Sequence, residues 1–147
     1  MKSPKTHNKL FVSNYDTSNV PTGYDLYHYE KLSEINDKSL DEIFVSDILD
    51  YYTDNNIPAV LSSLIAKIKH SGKLHIQSID LEQFCFYLSN KVISTDKKYL
   101  LFNNKNNIQT LASLCNILLQ NRHLQIISRK YLNGFEYYIE LQINHEK

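Results

Sequence analysis

The sequence predicts an α/β domain with a mostly parallel sheet, a C-terminal antiparallel hairpin and helices mainly on one face. Three observations carry that reading. Short strand-like runs alternate with helical patterns along most of the chain. The closing stretch "LQIISRKYL-NG-FEYYIELQI" (124–143) sets Asn133-Gly134 between two alternating runs, a strong hairpin signal because both turn positions favour positive φ. The links between the first strands are too short for the crossover helices that parallel neighbours usually need, so one face is expected to lack its covering layer.

Each element has its own signal. "KLFVS" (9–13) opens as the first strand of a nucleotide-binding α/β fold does, and Asn14 to Gly23, with Pro21 and Gly23, reads as a loop. "YDLYHY" (24–29) is a second strand, and "DEIFVSD" (41–47) a third that is apolar on both faces. "IPAVLSSLIAKIKHSG" (57–72) is the clearest helix. Pro58 suits its first turn, Ile57, Val60, Leu61, Leu64, Ile65 and Ile68 keep helical spacing, and Gly72 is its expected C-terminal cap. "KLHIQSI" (73–79) alternates as a strand. Asp80 and Gln83 form a capping box for a helix carrying Leu81, Phe84, Cys85, Leu88 and Val92. "TDKKYLLFNNKNN" (95–107) is a connection, and Ile108, Leu111, Ala112, Cys115, Leu118 and Leu119 mark a last helix before the hairpin. Residues 1–8 read as a flexible polar tail and 9–147 as one domain.

The totals narrow the function. A chain of 147 residues can bury a core without disulfides or metals. Its formal net charge of zero argues against a nucleic-acid partner or an anionic membrane surface. No signal peptide and no run of about eighteen apolar residues is present. The two cysteines, Cys85 and Cys115, sit in helical patterns, which suits a reduced, cytoplasmic protein. The abundance of Asn, Lys and Ile suggests AT-rich coding, as in some bacteria and phages. The six histidines share no ligand spacing, so no metal site is expected, and neither a phosphate-binding P-loop nor a nucleophile elbow appears.

The block "INDKSLDEIFVSDILDYY" (35–52) followed by "VLSSLIAKIKHSGKLHIQSIDLEQF" (60–84) resembles the centre of class I S-adenosylmethionine-dependent methyltransferases. It is closest to a small subgroup reading roughly "DNSVDEIYASHVLEHF… VLKPGGKLRIAVPD", and Asp37, Ser39, Asp41, Glu42 and Ile43 sit where that pattern places them. The resemblance runs in order from residue 9 to residue 143. It implies a minimal Rossmann-like methyltransferase fold and S-adenosylmethionine as the cofactor if the site is retained.

The departures fall on the site. The family ends its first strand in a glycine-rich loop, where the backbone approaches the cofactor closely. Here Ser13, Asn14 and Tyr15 stand at those positions, and the chain holds only three glycines. Tyr15 would intrude on the cofactor. Glu30 is the better-placed candidate for the acid that binds ribose hydroxyls after strand 2, although a glutamate at a strand end is usually just solvated. After the family's fourth strand "SHVLEH" becomes "SDILDY", which leaves Asp47 as a conceivable general base or as an acid facing a helix N-terminus.

The strands agree with a sheet open on one side. Lys73, His75 and Gln77 alternate with Leu74 and Ile76, and Tyr138 and Glu140 with Ile139 and Leu141. Phe11 and Phe44 supply apolar centres on that same face. An apolar patch of Phe11 and Phe44 rimmed by His75, Gln77 and Tyr138 is therefore the expected contact surface for a second copy or a protein partner. The sequence reads as a degenerate methyltransferase-like domain with a non-catalytic binding or structural role and no bound cofactor. The alternative is an active methyltransferase acting on a glycan or small metabolite.

Overall fold

A computed structural model of the chain describes residues 8–13, 19–90, 108–132 and 134–146. The expected positions of Asn14, Tyr15, Val92 and Asn133, the 95–107 connection and nearly all of the N-terminal tail lie outside them. Strands β1 (Lys9–Ser13), β2 (Asp25–His28), β3 (Leu40–Ser46), β4 (Ile68–Ile79), β5 (Leu124–Tyr131) and β6 (Glu136–Ile143) form one sheet in the order β2-β1-β3-β4-β6-β5. The first four run parallel, and β6 is antiparallel to both β4 and β5. Helix α1 (Ile57–Lys67) joins β3 to β4, while α2 (Leu81–Ser89) and α3 (Leu111–Leu119) lie between β4 and β5. Short 3₁₀ turns cover Tyr29–Glu34 and Leu49–Tyr51.

Period-two alternation divides the sheet into two unlike faces. One presents Leu10, Val12, Ile43, Val45, Leu74, Ile76, Ile139 and Leu141, and these pack with Val60, Leu61 and Leu64 of α1 and Leu114 and Leu118 of α3 into a single core. The opposite face carries Phe11, Phe44, His75 and Tyr138. Among the described residues, the aromatic contacts made there come from the strands and from Tyr24, and none from a helix.

Local chemistry sets the boundaries, and in one place it corrects the sequence reading. The helix expected over 57–72 stops at Lys67, and Ile68 turns to φ −89°, ψ 139°. Its terminal carbonyls are taken by the chain ahead of β3: the Lys38 amide donates to Ala66 at 2.8 Å and the Ser39 amide to Lys67 at 3.0 Å. Ile68 then pairs with Leu40 as the start of β4. Gly72 is thus not a helix cap. It sits inside β4, at the irregularity where the register jumps from Leu40–Ile68 to Glu42–Lys73. Any Cβ there would come within 2.4 Å of Ile68 and 2.7 Å of the Asp41 carbonyl oxygen.

Asp80 does more than cap one helix. Its Oδ1 accepts the Gln83 amide at 2.9 Å, as expected for α2, while Oδ2 accepts the Leu111 amide at 2.7 Å and the Tyr131 hydroxyl at 3.1 Å. One carboxylate, 2% exposed, therefore ties the start of α2, the start of α3 and the end of β5 together. At the hairpin Gly134 takes φ +78°, and the Leu132 amide donates to the Glu136 carbonyl at 2.8 Å, so the loop between them holds three residues.

The crowding around Gly72 gives a direct test. Gly72→Ala is expected to destabilise the domain by about 1–3 kcal/mol, because the fully buried Ile68 side chain and the Asp41 backbone would both have to yield. Thermal denaturation followed by far-ultraviolet circular dichroism measures it. A variant that melts with the wild type would show that β4 does not pass Asp41 this closely.

Candidate functional site

Parallel α/β sheets bind ligands beyond the carboxyl ends of their strands, where neighbouring strands lead away in opposite directions. Here that point lies between β1, which is followed by β2 on one side, and β3, which is followed by β4 on the other. A cleft of about 250 Å³ opens there, lined by Phe11 and Ser13 of β1, Phe44 and Ser46 of β3, Asp47, Gln77 of β4, and Asn19 and Pro21 from the loop before β2.

Asp47 is the first residue past β3 and takes φ +61°, a left-handed conformation that aspartate tolerates better than most side chains. Its amide donates to the Gln77 carbonyl at 3.0 Å, and its Oδ1 accepts the Ser78 hydroxyl at 3.0 Å. Ser78 also contacts the carboxylate of Asp50, which is fully buried in the 3₁₀ turn behind the cleft. A serine hydroxyl has one proton, so it serves the two carboxylates in turn. Tyr137 pairs with Ser78 in the sheet, and burial, reinforced by the Asp50 charge, pushes its hydroxyl far up and keeps it protonated.

The structure gathers some of the expected residues and separates others. Ser13 and Asp47 meet in the cleft, and Phe11, Phe44 and Gln77 join them. Glu30 does not. Strand β2 ends at His28, and Glu30 lies exposed in the 3₁₀ turn, lining a different cleft of about 310 Å³ with Leu32, Ser33, Ser63, Ala66 and Lys67. The residue in register with Ser13 at the end of β2 is His28. Asn14 and Tyr15 lie outside the described residues. Of the expected contact patch, Phe11 and His75 are already buried within the single chain, at 5% and 7% exposure, while Phe44, Gln77 and Tyr138 are half-buried.

The polar group at the centre of the open face is Glu42, which the sequence reading matched to the family block without giving it a role. It accepts the hydroxyl of Tyr24, the ammonium of Lys9 at 3.0 Å and Nε2 of His75 at 3.1 Å. Burial by itself would raise the Glu42 carboxyl, but the hydrogen bonds from Tyr24, Lys9 and His75 outweigh it and hold the pKa at about 2. Nδ1 of His75 meets the Tyr138 hydroxyl at 2.6 Å, and burial and neighbouring acids push that hydroxyl upward. The rings of Phe11, Phe44, His75 and Tyr138 follow one another across the sheet with neighbouring centroids 5.5, 5.8 and 5.8 Å apart. Tyr24 closes edge-on over Phe44 and His75. At the margin Lys73 pairs with Glu140 at 2.8 Å, and Lys130 lies 5.5 Å from the centre of the Tyr138 ring.

Among the described residues no cluster of three or more His, Cys, Asp or Glu is placed to hold a metal ion. No helix among them is long and apolar enough to cross a membrane. Cys85 is exposed and Cys115 buried, both as free thiols.

Neither a protein-family model nor a curated protein matches the sequence. Solved structures do match the fold. A protein of Pyrococcus horikoshii superposes with a TM-score of 0.61 at 18% identity, over 86% of this chain and 61% of its own. A Thermotoga maritima S-adenosylmethionine-dependent methyltransferase, described as a possible histamine N-methyltransferase, gives 0.57 at 16% identity, over 83% of this chain and 65% of its own. The magnesium protoporphyrin IX methyltransferase of Synechocystis, solved with bound S-adenosylhomocysteine, gives 0.53 at 13% identity, over 82% of this chain and 52% of its own. This chain spans less than two thirds of each of these structures. Its fold is that of the class I methyltransferases: a mostly parallel, Rossmann-like sheet closed by an antiparallel hairpin. The strand before Asp47 is the third here and the fourth in the family pattern, so the described residues hold one strand fewer.

The Glu42 network makes a pH-dependent prediction. A carboxylate held below its ordinary value of 4.5 contributes stability that is complete above that value and is lost as pH falls through the folded-state value of about 2. Glu42→Gln is therefore expected to melt lower than the wild type by a margin that is constant between about pH 5 and 7. The margin should narrow progressively as pH falls below about 4.5 and level off near 2. A margin that stays unchanged between about pH 4.5 and 2 would mean that the three donors do not hold the carboxylate down.

Proposed function

We propose that this chain is a non-catalytic methyltransferase-like domain that serves as a binding or structural subunit. The observation that carries the reading is the separation of the cofactor determinants: Ser13 and Asp47 line one cleft and Glu30 another. Three further features support it. The glycine nearest to β1, Gly23, lies in the turn closed by the Tyr24 amide on Pro21, and a Cβ there would meet nothing within 4 Å. Its positive φ serves that turn. The cleft volume of about 250 Å³ falls below the few hundred Å³ usual for sites that enclose a larger organic ligand. Among the described residues lining it none is cationic, although the cofactor's methionine carboxylate would need a counter-charge or a nest of amides.

These features of the described residues count against S-adenosylmethionine as the ligand of this cleft. The open sheet face remains the surface for self-association or a protein partner. With Phe11 and His75 covered, the contact would fall on Phe44, Gln77 and Tyr138. A second reading, a small active methyltransferase, is favoured by one observation: the left-handed Asp47 sits at the cleft mouth, where strained polar residues often serve chemistry.

Calorimetric titration with S-adenosylmethionine and S-adenosylhomocysteine separates the two. The non-catalytic reading expects no heat of binding for either compound up to millimolar concentration. One-to-one binding at micromolar affinity would overturn it in favour of the enzyme.

A further inference from the structure

Strand β5 is one margin of the sheet and, among the described residues, pairs with β6 alone. The outer backbone donors and acceptors of such a margin can take a further strand. Every side chain from Ile127 to Leu132 is exposed. Ile127, Tyr131 and Leu132 stand 47%, 46% and 41% exposed, so half of the large apolar residues open to solvent in the described chain gather on this one strand and its end.

The charge around β5 is one-sided, although the chain as a whole is neutral. No Asp or Glu occurs between Asp96 and Glu136, and the only arginines of the sequence, Arg122 and Arg129, both fall in that interval. Both are exposed, and neither has a hydrogen-bond, ion-pair or aromatic partner among the described residues. Lys130 rests against the Tyr138 ring. The acids nearby do not answer these cations. Glu140, opposite Ser128, is paired with Lys73, and Glu82 and Glu136 stand by the Tyr131–Leu132 end.

Arg129 is in register with Ile139 and Lys130 with Tyr138, so the two cations lie on opposite faces of the sheet. An incoming strand meets both with two consecutive acids, one on each face. A second copy of this chain is a poor occupant. The bulge at Ile127 leaves Ser128–Tyr131 as the regular stretch of the margin. Antiparallel pairing of that stretch with its own copy would set Arg129 directly opposite Lys130, twice, and like charges so placed repel. An acidic strand turns the same deterrent into attraction. A nucleic-acid strand would answer the cations, but not the outer backbone edge or the Ile127 side chain.

We propose that β5 docks an acidic, extended segment of a protein partner by strand addition, with two adjacent Asp or Glu residues on Arg129 and Lys130 and apolar neighbours on Ile127 and Leu132. This edge is separate from the cleft beside Asp47, so the inference goes beyond the non-catalytic reading and does not depend on it.

Titration of the ¹⁵N-labelled full chain with the blocked peptide TVVEETVT, followed by amide shifts, tests it. TVVQQTVT and TVVKKTVT are the charge comparisons. Two forms of the acidic peptide, N-methylated at alternate amides in the two possible registers, test the backbone ladder. The acidic peptide is expected to bind with a dissociation constant below about 1 mM, and about fivefold more tightly than the glutamine peptide, as two exposed ion pairs would give. Shifts should centre on Ile127–Leu132, and at least one methylated form should fail to bind. Arg129→Glu combined with Lys130→Glu should reverse the preference towards TVVKKTVT, with the melting temperature as the check on folding. Should that variant unfold, Arg129→Gln with Lys130→Gln replaces it and should abolish the preference for acid. No binding, equal affinity for the three charge forms, or undiminished binding of both methylated forms would each overturn the proposal. So would shifts centred away from β5, tighter binding of oligothymidylate, or protection of the β5 amides that grows with concentration in the protein alone.

Discussion

Glu42 holds together a sheet face on which no described helix packs. Its carboxylate stays ionised while half-buried because Tyr24, Lys9 and His75 all donate to it. Leaving such a charge without donors would cost several kcal/mol, so the donors are conditions for the sheet rather than ornaments. Each comes from a different part of the chain: Lys9 from β1, Tyr24 from the loop before β2, and His75 from β4. One residue of β3 thereby fixes its neighbours on both sides and draws the Tyr24 ring over Phe44.

The two faces of the sheet solve different problems. The helix-covered face is a conventional core, with Val12, Ile43, Val45, Leu74 and Ile139 at or near zero exposure. On the other face, alternating rings and charge pairs do what a second helical layer would otherwise do. Phe11 and His75 are buried there, the described aromatic contacts to them come from the strands and Tyr24, and the rim is charged and paired at Lys73–Glu140. Two consequences follow for function. Among the described residues, the exposed part of this face is smaller and more polar than the residue types alone suggest, and a cleft opens beside Asp47.

Much of the fold was legible because its signals are local. Alternation in "KLHIQSI" and "FEYYIELQI" identified two strands that pair with each other, and Asp80-Gln83 marked the start of α2. The parts that were not legible depend on distant partners. Helical spacing continues through Ile68, so nothing local reveals that Lys38 and Ser39 end α1 at Lys67. Glu30 looked like a strand-end acid until β2 was seen to stop at His28 and the chain to turn away from the cleft. The role of Glu42 needed the register that sets Phe44 beside His75, together with the return of Tyr24 across the sheet. Gln77 and Ser46 are unremarkable as letters, and only the strand order brings them to one cleft.

The most direct test of the open-face network is the tautomer of His75. An ionised Glu42 can only accept, so Nε2 of His75 must carry a proton, and in the neutral ring Nδ1 must then accept from Tyr138. Long-range ¹⁵N–¹H correlation spectra, recorded at a pH where the ring is neutral, distinguish the two nitrogens. The network predicts a protonated Nε2 and a hydrogen-bonded, unprotonated Nδ1, with Glu42→Gln disturbing that pattern. A neutral His75 with its proton on Nδ1 would contradict it, because Glu42 would then face a bare nitrogen lone pair and could not organise the sheet.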